Sequence, residues 1–132
     1  MALSCGSSSP APVNSNIEPI VTYDRQEELR KNARYINENH LSSILSRGND
    51  VVIIFSADWC KACRLTRDTL TKAKLSINVY YVDVDESWVM QLAGIMSIKT
   101  IPIMFHTDKA GKTLAARVGP ASIVSYLIKL YR

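Results

Sequence analysis

The sequence predicts an α/β fold with a central mixed sheet of four to five strands that helices flank on both faces. The first observation is a βαβ unit, in which a helix predicted from Cys60 to about Leu75 joins two predicted strands, residues 51–56 and 78–84. Two strands joined in this way are parallel, with a right-handed crossover. A hairpin and a closing amphipathic helix follow, so antiparallel strands complete the sheet.

The hairpin and the closing helix come from the second half of the chain. Residues 103–106 and 113–118 are predicted strands, and the turn residues 108–112 between them favour a hairpin. Apolar side chains then recur at helical spacing, as in a helix that packs on a sheet, at Ile123, Leu127, Leu130 and Tyr131.

Three further elements are predicted around this framework. Residues 20–23 form a short first strand, and a capping arrangement at Asp24 opens a helix to about Asn39, which resumes to Ser46. Residues 87–93 form a short helix between the βαβ unit and the hairpin.

Length and composition are those of one domain. The chain has 132 residues, of which 47% are hydrophobic, enough for a core covered on both faces. Residues 1–18 are rich in Ser, Pro and Asn and are predicted to be a flexible leader, which leaves residues 19–132 for the domain. No apolar run reaches the length of a membrane span, so no membrane insertion is expected. The net charge of +4 is modest, and no basic and aromatic residues interleave as in a nucleic-acid surface.

Cys60 and Cys63 stand two residues apart directly after the predicted buried strand, at the start of the predicted helix. Unpaired N–H groups and the positive end of the helix dipole favour a thiolate at Cys60, and Lys61 adds a nearby positive charge that tunes its pKa. Cys63 lies about one helical turn further on, where it can attack a mixed disulfide formed on Cys60. The pattern predicts Cys60 as the nucleophile and Cys63 as the resolving cysteine.

Two other interpretations of the cysteine pair are less favoured. A zinc site needs four ligands, and the remaining candidates, Cys5, His40 and His106, are scattered without ligand spacing, so no metal is predicted. Inert buried cysteines do not fit the neighbouring Trp59 and Lys61, which indicate a turn that reaches the surface.

Three landmarks together resemble the thioredoxin superfamily. They are the run Trp59-Cys60-Lys61-Ala62-Cys63 after a buried strand, the segment Thr100-Ile101-Pro102, and Val118-Gly119 before the last helix. Their order and spacing cover roughly residues 20–132. The resemblance implies a thioredoxin fold and a protein thiol-disulfide oxidoreductase with an atypical active site and no bound cofactor.

The same resemblance implies how a substrate is held. The Ile101–Pro102 peptide bond is expected to be cis, which leaves the Ile101 backbone free to pair with an extended substrate strand. Trp59 is expected either to form an apolar wall of this surface or to be a packing residue, and Gly119 to complete the surface.

The chain departs from the thioredoxin pattern at two places. Lys61-Ala62 replaces the usual Gly-Pro between the cysteines, so the redox potential of typical thioredoxins cannot be assigned to this chain. Ile54 and Tyr81 occupy the positions of the usual buried Asp and its neighbouring Lys, which leaves Cys63 without an evident general base. We therefore expect a slower or more specialised reductase.

Neither histidine is expected to replace that base. His106 ends a predicted strand and is expected to face solvent, because strand ends are usually hydrated. His40 is expected to close the first helix, where a histidine complements the dipole. The role of Cys5 stays open between an exposed, non-catalytic thiol and a lipidated cysteine without a signal peptide.

The sequence thus predicts an oxidoreductase that reduces or exchanges disulfides of client proteins and takes electrons from an upstream reductase or dithiol donor. A monomer is expected. Two alternatives are an iron-sulfur or glutathione-linked protein with this fold and a non-catalytic interaction module. With three cysteines there is no disulfide framework, so an intracellular, cytoplasmic location is favoured, and mitochondrial and periplasmic locations stay open.

Overall fold

The computed structural model describes residues 3–5 and 34–132. Its elements, in chain order, are β1 (Ser4–Cys5), α1 (Glu38–Ser46), β2 (Val51–Ser56), α2 (Lys61–Ala73), β3 (Val79–Asp83), α3 (Ser87–Ile95), β4 (Thr100–Ile101), β5 (Ile103–Thr107), β6 (Thr113–Val118) and α4 (Pro120–Tyr131). The predicted strand at 20–23, and the predicted helix before residue 34, lie outside the described residues. Within these ranges, no helix is long and apolar enough to cross a membrane.

The main sheet has four strands in the order β3, β2, β5, β6. β2 pairs in parallel with β3, and β5 is antiparallel to both β2 and β6. The mixed sheet, the βαβ unit and the hairpin are therefore confirmed. A separate pair is formed by β1 and β4, which run parallel to each other.

β2 lies at the centre of the molecule and is buried along its whole length. Side chains alternate between the two faces of a strand, so its apolar run supplies both halves of the core. Val51, Ile53 and Phe55 belong to one apolar cluster, together with side chains of α1 and α3. Val52 and Ile54 belong to a second cluster, with side chains of α2 and α4. The sheet therefore has helices on both faces, as predicted.

The helix α2 follows β2 after a short turn and carries its buried side chains at helical spacing. The buried positions are Ala62, Cys63, Thr66 and Leu70. The helix ends where Lys74 adopts a left-handed conformation with φ of 52°. One face of α2 is thereby fixed against the sheet, and this fixes the direction of its first turn.

The first predicted helix lies mostly outside the described residues, and its predicted resumption to Ser46 corresponds to α1. Ile36 donates its backbone N–H to the carbonyl of Tyr81 at 3.0 Å, which holds the chain along the edge of β3 instead of in a helix. Asn37 then caps α1 by accepting the backbone N–H of His40 at 2.8 Å. The prediction that His40 closes the first helix is wrong, because His40 lies in the first turn of α1.

His106 is buried, with 3% of its surface exposed, so the prediction that it faces solvent is wrong. Its Nδ1 lies 2.8 Å from the hydroxyl of Tyr126, and its Nε2 lies 2.9 Å from the hydroxyl of Tyr131. Both tyrosines belong to α4, which covers this end of β5. The ring is therefore held as a structural group, with both nitrogens in polar contacts.

The packing of α4 on the sheet can be tested by substitution of its leucines. Leu127 is fully buried, whereas Leu130, on the same helix, is 53% exposed. We expect Leu127→Ala to lower the free energy of unfolding by about 2–5 kcal/mol, because it removes buried methyl groups and leaves a cavity. Leu130→Ala is the control and should change it by less than about 0.5 kcal/mol. Urea unfolding of both variants measures the difference, and equal losses would contradict this packing.

Candidate active site

The turn between β2 and α2 places the paired cysteines. The backbone N–H of Cys60 donates to the carbonyl of Ala57 at 3.2 Å, which tightens the turn. Cys60 is the N-cap of α2, in an extended conformation, and its carbonyl accepts the N–H of Arg64 at 3.1 Å. Cys60 therefore lies at the helix N-terminus, where unpaired N–H groups favour a thiolate. Cys63 follows in the first turn.

Cys60 lies beside the segment around Pro102. Its Sγ is 3.9 Å from the carbonyl oxygen of Ile101, and the Ile101–Pro102 peptide bond is cis. The N–H of Gly119 donates to the carbonyl of Pro102 at 2.9 Å, with Gly119 at φ of 88°, a conformation that favours glycine. The fold therefore brings Cys60, Ile101, Pro102 and Gly119 together, although they come from three separate parts of the sequence.

Cys5 forms a disulfide with Cys60 across a sequence separation of 55 residues. The sequence interpretations of Cys5 did not include this pairing, and the structure does not show the exposed thiol that they considered. The part of the predicted leader that is described, residues 3–5, lies against the domain as β1. Residues 6–18 lie outside the described residues, and the domain boundary at residue 19 stays a prediction.

Cys63 is a free, fully buried thiol. Burial raises its pKa above the ordinary value for cysteine. Several groups favour the thiolate but offset only part of this effect: the Ser56 hydroxyl, the Ala57 backbone N–H and the guanidinium groups of Arg67 and Arg64. Ser56 is fully buried, and its hydroxyl has no hydrogen-bond partner by distance and angle within the described residues. No motif in the sequence marks Ser56 as a site residue.

Asp58 anchors the turn that carries the cysteines. Its carboxylate accepts a hydrogen bond from Arg34 at 2.8 Å and one from the Tyr35 hydroxyl at 2.9 Å. Arg67 of α2 lies 3.6 Å from the same carboxylate, and Arg64 donates to the Asp58 carbonyl at 2.6 Å. These contacts join the residues before α1 to the turn and to α2.

The charges around Asp58 set its protonation. Partial burial opposes its ionisation, but the hydrogen bonds from Arg34 and Tyr35 and the charges of Arg34 and Arg67 outweigh burial, so the pKa of Asp58 lies below its ordinary value. The pKa of Tyr35 is raised by burial first and by the adjacent Asp58 carboxylate second. At neutral pH the turn therefore carries an anionic carboxylate at Asp58, and the Tyr35 side chain that contacts it is a neutral phenol.

Trp59 and Lys61 lie on the outer surface of the turn. Trp59 is 39% exposed, and its Nε1–H donates to the carboxylate of Asp85 at 3.2 Å. Lys61 is exposed at the first position of α2. The turn reaches the surface as expected, whereas the sulfurs of Cys60 and Cys63 lie beneath it.

Ile54 and Tyr81 lie at neighbouring positions of β2 and β3. Ile54 is fully buried, and burial raises the pKa of Tyr81 to about 12. One carboxylate is nevertheless buried close by: Asp83 is opposite Ser56 in the same pair of strands and accepts the N–H of Asp85 at 2.9 Å. The sequence analysis did not identify Asp83, because a single Asp at the end of a strand carries no local signal.

The described residues include no group of three or more His, Cys, Asp or Glu side chains placed to hold a metal ion. Two cysteines at the start of a helix and a third on β1 are groups that are chemically capable of thiol-disulfide exchange.

The structure is that of an α/β protein with a pair of cysteines at a helix N-terminus. A family model described as Thioredoxin matches residues 32–129, and the chain belongs to this family. A search of curated protein sequences found no match to the chain.

Solved thioredoxin structures share the fold. Oxidised thioredoxin from Plasmodium falciparum is 21% identical, with a TM-score of 0.59 over 73% of this chain and 94% of that chain. A mutant thioredoxin from Halobacterium salinarum is 22% identical, with a TM-score of 0.60 over 73% of this chain and 83% of that chain. Thioredoxin from Malassezia sympodialis is 25% identical, with a TM-score of 0.56 over 70% of this chain and 84% of that chain.

The contacts of Asp58 predict a pH-dependent contribution to stability. We expect Asp58→Asn to lower the free energy of unfolding at neutral pH by roughly 1 kcal/mol, a modest value because the carboxylate is partly exposed to water. The folded-state pKa is lowered, so the contribution is present above the unfolded-state pKa and is lost as the pH falls through the folded-state value.

Urea unfolding at a series of pH values from about 7 to about 2.5 measures this effect. The difference between the wild type and Asp58→Asn should shrink below about pH 4. Asp68→Asn, at an exposed position of α2, is the matched control and should show little difference. A constant difference for Asp58→Asn over the whole range would contradict the assignment.

Proposed function

We propose that this protein is a thiol-disulfide oxidoreductase that reduces or exchanges disulfides of client proteins through Cys60 and Cys63. The observation that carries the proposal is the position of Cys60. Its sulfur lies at the N-terminus of α2 and 3.9 Å from the carbonyl of Ile101, next to Pro102. Members of the thioredoxin family are typically redox enzymes, which supports the same activity.

The reaction proceeds in two exchange steps. The Cys60 thiolate attacks one sulfur of a client disulfide, so a mixed disulfide forms and the other client sulfur leaves as a thiolate. The Cys63 thiolate then attacks the Cys60 sulfur, which releases the second client thiolate and leaves a Cys60–Cys63 disulfide. A dithiol donor or reductase returns two electrons, and its own thiols become a disulfide. No cofactor is needed for either exchange.

The two cysteines are suited to different steps. Helix N–H groups and the nearby Lys61 favour the thiolate of Cys60, which attacks first. Burial raises the pKa of Cys63, so its thiolate fraction at neutral pH is smaller than that of an ordinary cysteine. The Ser56 hydroxyl next to Cys63 supplies a donor for the thiolate when the second step requires it. This division supports Cys60 as nucleophile and Cys63 as resolving cysteine.

The client is held mainly through its backbone. The pairing of β1 with β4 supports this, because it is an extended strand bound to the backbone of Thr100 and Ile101. Trp59 directly precedes Cys60 and is partly exposed, so it is available for contact with a client. Backbone pairing tolerates different side chains, so the proposed clients are disulfides in many sequences. A monomeric state and an intracellular compartment stay predictions.

Substitution of each cysteine tests the roles. We expect Cys60→Ser to reduce the rate of dithiothreitol-driven insulin reduction by at least about 100-fold, because the attacking thiolate is lost. Cys63→Ser combined with Cys5→Ser, which removes the other cysteine that pairs with Cys60, should form a mixed disulfide with the client that is not released, and mass spectrometry of the acid-quenched reaction detects it. Circular dichroism of both variants confirms that they are folded. Substantial activity of Cys60→Ser would overturn the proposal.

The raised pKa of Cys63 predicts the pH dependence of the second step. Only the thiolate attacks, and its fraction rises about tenfold for each pH unit below the pKa. Release of a client from Cys60 in a single turnover should therefore accelerate continuously from about pH 6 to about pH 9. Stopped-flow fluorescence of a labelled client measures the rate.

A variant of Ser56 tests whether the pH dependence of client release arises from Cys63. Ser56→Ala removes a group that lowers the pKa of Cys63, so release should be slower at each pH. Ser43→Ala, at an exposed position of α1, is the control and should leave the profile unchanged. A plateau of the wild-type rate near neutral pH would contradict the assignment.

A further inference from the structure

The segment of residues 3–5 occupies the position that the proposed function assigns to a client strand. β1 runs parallel to β4, with Ser4 opposite Thr100 and Cys5 opposite Ile101. Ile101 directly precedes Pro102 and lies beside the sulfur of Cys60. The backbone that would pair with a client is therefore already paired with a part of the same chain.

Apolar contacts support this pairing. Leu3 and Cys5 pack against the apolar cluster that contains Ala57, Cys60 and Ile101. Leu3 is two positions before Cys5, so both lie on the same face of an extended strand. The segment thus contacts the site through its backbone, through an apolar side chain and through its sulfur.

The disulfide of Cys5 is chemically equivalent to the mixed disulfide of a client. It joins Cys60 to a cysteine on a strand paired beside Pro102, with the two Cα atoms 5.5 Å apart. Cys63 stays a free thiol in the first turn of α2. All the groups required for the second exchange step are present within one chain.

We propose that Cys5 is a third redox-active cysteine and that residues 3–5 act as a tethered substrate that closes the active site in one oxidised form of the protein. The inference rests on the proposed function of Cys60 and Cys63. It adds a reacting group from a segment that the family match, residues 32–129, does not include.

The closed form opens by an internal exchange. The Cys63 thiol loses its proton to water, and its thiolate attacks the sulfur of Cys60. The Cys60–Cys63 bond forms while the Cys5–Cys60 bond breaks, and Cys5 leaves as a thiolate that takes up a proton from water. One disulfide replaces another, so no electrons enter or leave the protein. The oxidised chain thus has a closed form, Cys5–Cys60, and an open form, Cys60–Cys63.

The two forms differ in their access to clients. In the closed form Cys60 is 0% exposed, its sulfur is bonded, and β4 is already paired. In this form a client can reach neither the Cys60 thiolate nor the backbone of β4 that would bind it. A dithiol donor that reduces the closed form produces free thiols at Cys5 and Cys60 and is itself oxidised to a disulfide. Cys5 thereby competes with clients for Cys60.

Disulfide mapping of the full chain tests the inference. The reduced protein is equilibrated in glutathione buffers of increasing oxidation, quenched with acid, alkylated with N-ethylmaleimide and digested for mass spectrometry without reduction. We expect both Cys5–Cys60 and Cys60–Cys63 peptides in the wild type. Cys63→Ser should give only Cys5–Cys60, and Cys5→Ser should give only Cys60–Cys63. Absence of Cys5–Cys60 from both the wild type and Cys63→Ser would overturn the inference.

A matched control separates strand pairing from simple proximity. The double variant Ser4→Cys/Cys5→Ser keeps the composition but moves the thiol by one position, to the opposite face of an extended strand. We expect its disulfide with Cys60 to be at least about tenfold less abundant than that of the wild type in the same buffer. Equal abundance would show that any tethered thiol suffices, and would overturn the tethered-substrate assignment.

Insulin reduction distinguishes failure of this inference from failure of the proposed function. The initial rate with oxidised Cys5→Ser at low dithiothreitol should exceed that of the oxidised wild type by about two- to tenfold, because no closed form delays it. Equal rates, with no Cys5–Cys60 disulfide in the wild type, overturn only the role of Cys5. No insulin reduction by either reduced protein overturns the proposed function, and the role of Cys5 as a tethered substrate falls with it.

Discussion

The complete burial of β2 is the constraint on which the site depends. The strand is paired on both sides, and its five apolar side chains supply both faces of the core. Burial of each such side chain contributes roughly 1.5–3 kcal/mol, so the strand has no freedom to shift in register. It is followed by a short turn and by α2, whose buried face is also fixed. Cys60 is therefore held where the helix begins, and the position of Pro102 is set by β5, the antiparallel neighbour of β2.

The electrostatics of the site follow from where its charges lie relative to this core. Ile54 provides an apolar side chain on β2, and the anchoring carboxylate, Asp58, belongs to the turn, where Arg34 and Arg67 hold it ionised. Asp58 thus stabilises the turn that carries the cysteines, and the positive charges of Arg34 and Arg67 compensate its negative charge. Cys63 lies beneath the turn, where burial dominates over the polar groups around it. Cys63 therefore has a raised pKa although it lies only one helical turn from Cys60 at the N-terminus of α2.

Local patterns predicted most of the fold. The apolar run of β2, the helical spacing of α2 and α4, and the turn between β5 and β6 depend on neighbours in sequence, and each was confirmed. The errors arose from contacts between distant residues. The backbone bond from Ile36 to Tyr81 holds residues 35–37 out of the helix that was predicted to reach Asn39, and the tyrosines of α4 cover His106. The leader at residues 1–18 was predicted from composition alone, and composition contains no information on a pairing of Cys5 with a residue 55 positions away.

The burial of Cys63 also determines how long any disulfide on Cys60 persists. The rate of the second exchange is proportional to the thiolate fraction of Cys63, and burial keeps that fraction small near neutral pH. Under the proposed role of Cys5, a client that dissociates after each encounter must compete with a cysteine of the same chain, which does not diffuse away from Cys60. A slow second exchange and competition from Cys5 would both lengthen the time that the Cys60 sulfur is bonded to another sulfur. In a chain that lacks a buried carboxylate at Ile54 to accelerate resolution, selectivity for clients would then depend on how well their strands displace residues 3–5 from β4.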